Sequence, residues 1–231
     1  MTLIEIMVTI AVIAIVVGLA VPGLAAVMDL QRRDAARTIA ETYQWLLDEA
    51  AMRNVTFRVV YKLDERSWMV EVGDPNTTVF STPEEREKFE QQLKDDMKRY
   101  TQREIEDGEA NEVTERAGRF DGLDDAVFTT AQVLPEGTIF AFVYTPQYAP
   151  HGKEPSEEPP EDPEDASVAY TYVFPDGTAE HTIVRIADEE DPEDGFSVEV
   201  EPISGKVRLE TDLLDPSSSM SWLPESGPEI Q

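Results

Sequence analysis

The sequence contains no cysteine, and only two of its 231 residues are histidine. Without cysteine there are no disulfide frameworks and no thiolate-ligated zinc sites, so stability must come from core packing, assembly or bound ions. Basic residues are also scarce, because 19 lysines and arginines stand against 48 aspartates and glutamates and give a formal net charge of -29. Phosphate groups repel a protein of this charge. The composition therefore excludes a generally basic, nucleic-acid-binding surface.

Motifs that would indicate catalysis are missing as well. The sequence has no nucleophile elbow, no zincin helix, no phosphate-binding loop and no dinucleotide-binding glycine pattern. His151 lies in an acidic loop and His181 in a predicted strand, and no serine or cysteine motif surrounds either of them. We therefore expect the protein not to be an enzyme and to have no catalytic residues.

Two acidic clusters, at residues 157–165 and 188–194, offer the oxygen ligands that Ca²⁺ prefers. Neither cluster has the spacing of an EF-hand loop, and Pro192 stands where a ligand would be needed. Solvated loops are the favoured interpretation, with no resident metal and no cofactor. A Ca²⁺ site is the alternative.

The longest apolar run is the segment 6–28, which is interrupted only by one threonine, two glycines and one proline. A helix of about 20 residues crosses a hydrocarbon core of about 30 Å, so the run predicts a transmembrane helix. Glu5 stands at its start, and an ionised carboxylate in a membrane helix costs about 2.5–3.5 kcal/mol. The residue either has a charged partner or lies in the headgroup region, where the helix dipole favours it.

The helical periodicity continues beyond the apolar run and predicts one helix of about 50 residues, some 75 Å long. We expect residues 1–28 to form its transmembrane or filament-core half and residues 29–54 its amphipathic half, with a stop at Asn54. Pro22 should kink or loosen the helix. Small and apolar residues of the second half fall on one face, at Ala36, Ile39, Ala40, Tyr43, Leu46, Leu47, Ala50 and Ala51.

After the helix the apolar period changes to two, which is typical of strands. Segment 55–215 therefore predicts an antiparallel β domain, laid against the second half of the helix in an α+β fold. Two insertions are expected in it: a helix at about 82–108 and an exposed, mobile acidic loop at about 150–166. The tail 216–231 has no regular pattern.

The first residues resemble a known family. Thr2-Leu3-Ile4-Glu5, an apolar helix and Pro22 are similar to the N-terminus of mature type IV pilins and type II secretion pseudopilins. That family has glutamate as its fifth and proline as its twenty-second mature residue. The resemblance implies a pilin-like fold, in which Glu5 pairs with the N-terminal amine of a neighbouring subunit.

Met1 stands where the family usually has phenylalanine. The resemblance implies that Met1 is the mature N-terminus, left after prepilin peptidase has removed a short basic leader, and that its amine is methylated. It also implies a periplasmic C-terminal domain. Arg32 and Arg33, by the positive-inside rule alone, would predict the opposite topology.

The C-terminal strands resemble those of the H-type minor pseudopilins (GspH/FimT-like), which have a similar Pro-Asp-Gly turn and a Gly-x-Val-Arg strand. The segment from about 82 to 126 and the acidic loop resemble insertions into that family core. The similarity rests on Phe174, Asp176, Gly177, Gly205, Val207 and Arg208.

The resemblance implies a structural function. The subunit would wait in the inner membrane as a single-pass protein and then enter a type II secretion pseudopilus that supports export of folded proteins across the outer membrane. Its partners would be other pseudopilins and the inner-membrane assembly platform. The alternatives are a minor type IV pilin (FimT/FimU-like) in pilus assembly or DNA uptake, and a major filament subunit. DNA uptake would need a lysine and arginine patch, of which Arg32-Arg33 and the mixed 86–103 segment are the only traces.

Overall fold

The structure is a computed structural model that describes residues 2–73, 82–98, 120–123, 131–156, 160, 166–216 and 219. Its description covers the backbone but not the side chains of residues 17–26, and it leaves out several side chains of the second helix. In chain order the elements are α1 Leu3–Arg53, β1 Thr56–Lys62, β2 Ser67–Gly73, α2 Pro83–Met97, β3 Phe120–Gly122, β4 Gln132–Val133, β5 Thr138–Tyr144, a 3₁₀ turn Pro146–Tyr148, β6 Val168–Val173, β7 Thr182–Asp188, β8 Gly195–Val200 and β9 Val207–Glu210.

Helix α1 is continuous over 51 residues, and its predicted end is confirmed. Asn54 caps it in the left-handed region at φ 55°, and its N–H donates to the carbonyl of Ala50. Asparagine tolerates this conformation better than most residues, which is why the helix stops there. Within the residues that the structure describes, no helix has the length and apolarity of a candidate membrane span.

The strands form two antiparallel sheets. Sheet A is five-stranded, with the order β3-β2-β1-β6 and β4 paired to β2, and sheet B is four-stranded, with the order β5-β7-β8-β9. Strands β1 and β2 form a hairpin, in which Lys62 pairs with Ser67 and Arg66 turns the chain at φ 54°. Gly137, at φ 73°, turns the chain before β5.

A single hydrophobic core joins α1 to both sheets. The buried stripe of α1 contacts β8 and β9 most, and its apolar members are those that the amphipathic pattern predicted, except that Ala51 is exposed in the last turn of the helix. Inside the core the hydroxyls of Tyr43 and Tyr61 are 2.7 Å apart, and the ring of Tyr61 meets Phe140 edge to face. The predicted α+β class, a long helix packed on an antiparallel β domain, is therefore confirmed.

The expected insertions are described only in part. The helix expected at about 82–108 is present as α2, and residues 99–119 lie outside the described residues. The acidic loop expected at about 150–166 is anchored at two points. The backbone N–H groups of Ser156, within the loop, and of Ser167, just after it, donate to the carboxylate of Asp64 at 2.7 and 2.6 Å. Strand β3 was not predicted, and most of the tail beyond Pro216 lies outside the described residues.

Candidate functional site: the exposed half of the N-terminal helix

The first four turns of α1, residues 3–16, expose an apolar surface on every side of the helix. Soluble proteins rarely leave so large an apolar surface in contact with water. Because a helix that is apolar all round is normally buried, other helices or lipid must cover this one. The large apolar side chains, 46–78% exposed, are Leu3, Ile4, Ile6, Met7, Val8, Ile10, Val12, Ile13, Ile15 and Val16.

Glu5 is the single charged residue of this half, and it lies in the first turn of α1. Its Oε2 accepts a hydrogen bond from the backbone N–H of Thr2 at 3.3 Å, so the carboxylate caps its own helix. The bond is long and exposed. It orients the carboxylate at the helix end, where a positively charged partner can approach it and where the helix dipole also favours a negative charge.

The other two predicted assembly residues are not tested by side-chain contacts. Met1 lies outside the described residues, and so does the side chain of Pro22, although its backbone lies within α1. Methylation at Met1 and a kink at Pro22 stay predictions.

Arg32 fastens α1 to the β domain, just beyond the apolar run. Its guanidinium is almost completely buried and lies 3.1 Å from Asp194 Oδ2 and 3.2 Å from Asp188 Oδ2. It also donates to the backbone carbonyl of Asp194. From the sequence, Arg32 was considered as a topology signal and as part of a small basic patch. Its function in the fold is to join the helix to the turn between β7 and β8.

Two further arginines hold the same acidic turn, residues 188–194. Arg66 of the β1–β2 turn pairs with Glu189, and the buried Arg185 donates to the carbonyl of Glu193. The cluster is exposed, as its composition suggests, but it is tied to the helix and to both sheets. The described residues include no group of three or more acidic or histidine side chains arranged to hold a metal ion, and most of the 157–165 cluster lies outside them.

Replacing Arg32 by methionine should destabilise the fold by about 2 kcal/mol. Removing one partner of a fully buried ion pair costs about 3–5 kcal/mol, and the partial exposure of Asp188 and Asp194 reduces the loss. Arg33→Met is the matched control, because Arg33 is the exposed neighbour on the same helix. Denaturant unfolding of both variants measures the difference, and equal effects would contradict the fastening role of Arg32.

The two turns of the C-terminal family motif lie together against α1. Gly177 adopts φ 82° and Gly205 φ 62°, and a Cβ at Gly205 would lie 3.3 Å from the carbonyl oxygen of Gly177 and from the side chain of Leu47. Phe174 closes the first turn through its backbone, accepting from the N–H of Gly177. Hydrogen bonds from the hydroxyl and then the N–H of Thr178 lower the pKa of Asp176 below its usual value.

Arg208, the last motif residue, closes the β8–β9 hairpin by pairing with Glu201.

Nearby, the carboxylate of Glu199 is 3.1 Å from His181 Nε2, and the hydroxyl of Ser219 is 3.3 Å from the same nitrogen. A hydrolytic triad needs the acid and the nucleophile on opposite nitrogens of the imidazole. The three side chains therefore do not have the arrangement of a catalytic triad.

One buried polar pair, whose carboxylate lies between β6 and β7, was not predicted from the sequence. The side-chain amide of Gln147 donates to both carboxylate oxygens of Glu180, at 2.9 and 2.8 Å, and the backbone N–H of Tyr172 donates to Oε2 at 3.2 Å. Burial raises the pKa of Glu180 to about 8. The alternation of inward and outward residues along the strand would place Glu180 on the face toward the core. Its partner, Gln147, is brought to it only by the tertiary structure.

Two solved structures of a bacterial protein are similar to this fold. Both are of EpsH, the minor pseudopilin of the type II secretion system of Vibrio cholerae. The first aligns with a TM-score of 0.47 and 12% identity over 79% of this chain and 96% of EpsH. The second aligns with the same score and identity over 80% and 97%. The sequence matches no protein-family model, and no curated protein matches it significantly.

Proposed function

We propose that the protein is a minor pseudopilin of a type II secretion pseudopilus, a structural subunit and not an enzyme. The observation that carries the proposal is the exposed apolar half of α1, which has one carboxylate at its start and continues without a break into the packed half. A helix of this kind needs an apolar environment, whereas the chain as a whole is highly acidic, with a formal net charge of -29.

The apolar half would have two environments in turn. Before assembly it would lie in the inner membrane, with the β domain in the periplasm and with prepilin peptidase and the assembly platform as partners. In the filament it would pack among the helices of other pseudopilins. An unpaired charge is penalised in such a low-dielectric core, so Glu5 and a neighbour's methylated amine would neutralise each other and fix the register of the two helices.

Glu5 can cap its own helix in the free subunit and still pair with a neighbour's amine in the filament. The single long bond from Thr2 uses one carboxylate oxygen, and a carboxylate accepts several hydrogen bonds. A neighbour's amine can therefore approach Glu5 without breaking the first turn of α1. This geometry supports Glu5 as an assembly residue that is held in place before its partner arrives.

We expect Glu5→Ala to leave the protein folded and to reduce its incorporation into filaments at least tenfold, the loss that about 1.4 kcal/mol of pairing energy produces. The substitution contacts no part of the buried core, because Glu5 is exposed. A photo-crosslinking amino acid at Ile10, used in cells that express the secretion system, reports contact with neighbouring subunits. Secretion is measured in the same cells at matched expression.

Glu41→Ala is the control, because it removes the same charge from an exposed position in the packed half of α1, where Arg37 is its partner. Glu5→Asp should be intermediate, since it keeps the charge and shortens its reach. Assembly and secretion of Glu5→Ala at the parental level would show that the carboxylate is only a helix cap at the membrane surface, and would remove the principal support for the proposal.

A further inference from the structure

A groove of about 620 Å³ lies on the face of sheet B that points away from the core. Phe140 and Val143 are buried in the core, and the β-bulge between Phe140 and Phe142 shifts the alternation of β5, so Ile139, Ala141 and Phe142 line the groove. One wall is the segment 150–155 and the other is the C-terminal segment 213–216. Its volume lies within the range of about 300–1,000 Å³ that is usual for ligand sites.

The C-terminal wall is held rigidly. The buried guanidinium of Arg185 donates to the backbone carbonyls of Thr211 and Asp212, at 3.4 and 3.2 Å, and the hydroxyl of Ser197 donates to Asp212 at 2.9 Å. This clamp presents Leu213, which is 57% exposed, at the groove. The groove is therefore a formed feature of the sheet surface.

An occupant of the groove would contact its side chains and would find few main-chain groups for hydrogen bonds. Its lining includes four prolines, which have no N–H to donate. The edge of β5 is already occupied, because Val143 and Lys153 exchange two backbone hydrogen bonds of 2.8 Å. A partner strand could not pair with Val143 without displacing Lys153, and the apolar lining of the groove favours an occupant that inserts an apolar side chain. The prolines are Pro150, Pro155, Pro192 and Pro216.

Charge identifies the kind of occupant. Glu154, Glu193 and Asp215 belong to the lining, and the described lining residues include no lysine or arginine. A second copy of this chain, an anionic lipid or a nucleic acid would be repelled, and the chain's own residues 220–231 contain two glutamates and no basic residue. A basic segment would instead be attracted.

We propose that this groove binds a polypeptide segment of a partner protein that presents one large apolar side chain next to a lysine or arginine. The apolar side chain lies between Leu213 and Ile139, and the basic group meets the carboxylates of Glu154 and Glu193. The groove is on the opposite side of sheet B from α1, so the proposal does not depend on filament assembly.

The test uses the full chain in nanodiscs of zwitterionic lipid and a fluorescently labelled Lys-Trp-Lys peptide blocked at both ends. We expect saturable binding by fluorescence anisotropy, at least fivefold weaker when glutamates replace the lysines or alanine replaces the tryptophan. Leu213→Ser should weaken binding at least fivefold, and Ile203→Ser, which changes another exposed large apolar residue, outside the groove, should not. The double variant Glu154→Gln, Glu193→Gln should bind the peptide more weakly and with a smaller salt dependence than the parent.

Three outcomes would overturn the proposal. One is absence of saturable binding up to millimolar peptide, and another is equal loss of affinity in Leu213→Ser and Ile203→Ser. The third is binding that arises only after truncation behind Ser219, which would show that the chain's own tail is the occupant. Empty nanodiscs provide the background for each measurement.

Discussion

Glu180→Gln is expected to make the protein more stable at neutral and alkaline pH, and to flatten the dependence of its stability on pH. Burial raises the pKa of this carboxyl to about 8, whereas hydrogen bonds from Gln147 and Tyr172 only partly offset the effect. The folded protein therefore holds a proton that the unfolded chain releases near its ordinary pKa of about 4.5.

The sign follows from this difference in proton binding. Below about pH 4.5 the carboxyl is protonated in both states and has no effect on the free energy of unfolding. Between about 4.5 and 8 the native state binds more protons, so stability falls as pH rises, by at most about 1.4 kcal/mol per pH unit. Above about 8 the full penalty of a buried carboxylate persists, and the glutamine variant does not have it.

Denaturant unfolding of parent and variant at intervals from pH 4 to 9 measures the effect. The contributions of the other carboxylates are the same in both proteins and cancel when the two free energies of unfolding are subtracted. Glu189→Gln is the control, because Arg66 lowers the pKa of Glu189 and its contribution is lost as pH falls. That variant should keep the parental slope between pH 5 and 8. Parallel stability curves for parent and Glu180→Gln would show that Glu180 does not titrate in this range.

Gly195→Ala is expected to destabilise the fold by about 3 kcal/mol or more, at the upper end for overpacked sites. A Cβ at this position would lie 2.2 Å from the carbonyl oxygen of Ile186 and 2.7 Å from the Cα of Ala187. Both are backbone atoms of the neighbouring strand β7, which pairs with β8 at this point. They cannot rotate away as a side chain would, so the two strands must separate.

Gly122→Ala provides the matched control, because it also replaces a strand glycine and its Cβ would meet no atom within 4 Å. We expect a change of less than about 0.5 kcal/mol for this variant, as for most surface substitutions. Thermal unfolding monitored by circular dichroism gives both values. Equal midpoints for the two variants would mean that β7 and β8 are not in the close contact described above.

Elements were predictable from the sequence wherever the signal is local. The end of α1 at Asn54 and the turn at Gly137 depend on the conformations that these residues favour, and the strands depend on alternation over a few positions. The amphipathic stripe of α1 also shows in the sequence, because every member lies within one helix.

Contacts between distant segments were not predictable. Arg32 and Asp194 are 162 positions apart, and composition alone made the acidic turn look like a free loop. The partner of Glu180 lies 33 positions away in a 3₁₀ turn, and the groove on sheet B is built from four separate segments. Since no local rule specifies which charged side chains meet, these features require the tertiary structure.

Because α1 is one continuous helix, a shift of the subunit along the helix axis is coupled to a rotation of the β domain about that axis. Each residue of an α-helix advances 1.5 Å and rotates by about 100°. If the exposed half meets a neighbour one residue out of place, the subunit shifts by only about 1.5 Å, but the β domain at the other end turns by more than a quarter of a circle. The Arg32 attachment prevents a swivel between the packed half of the helix and the β domain from absorbing that rotation. A shift of one residue in the helix contact would therefore rotate the groove on sheet B by about 100° around the helix axis.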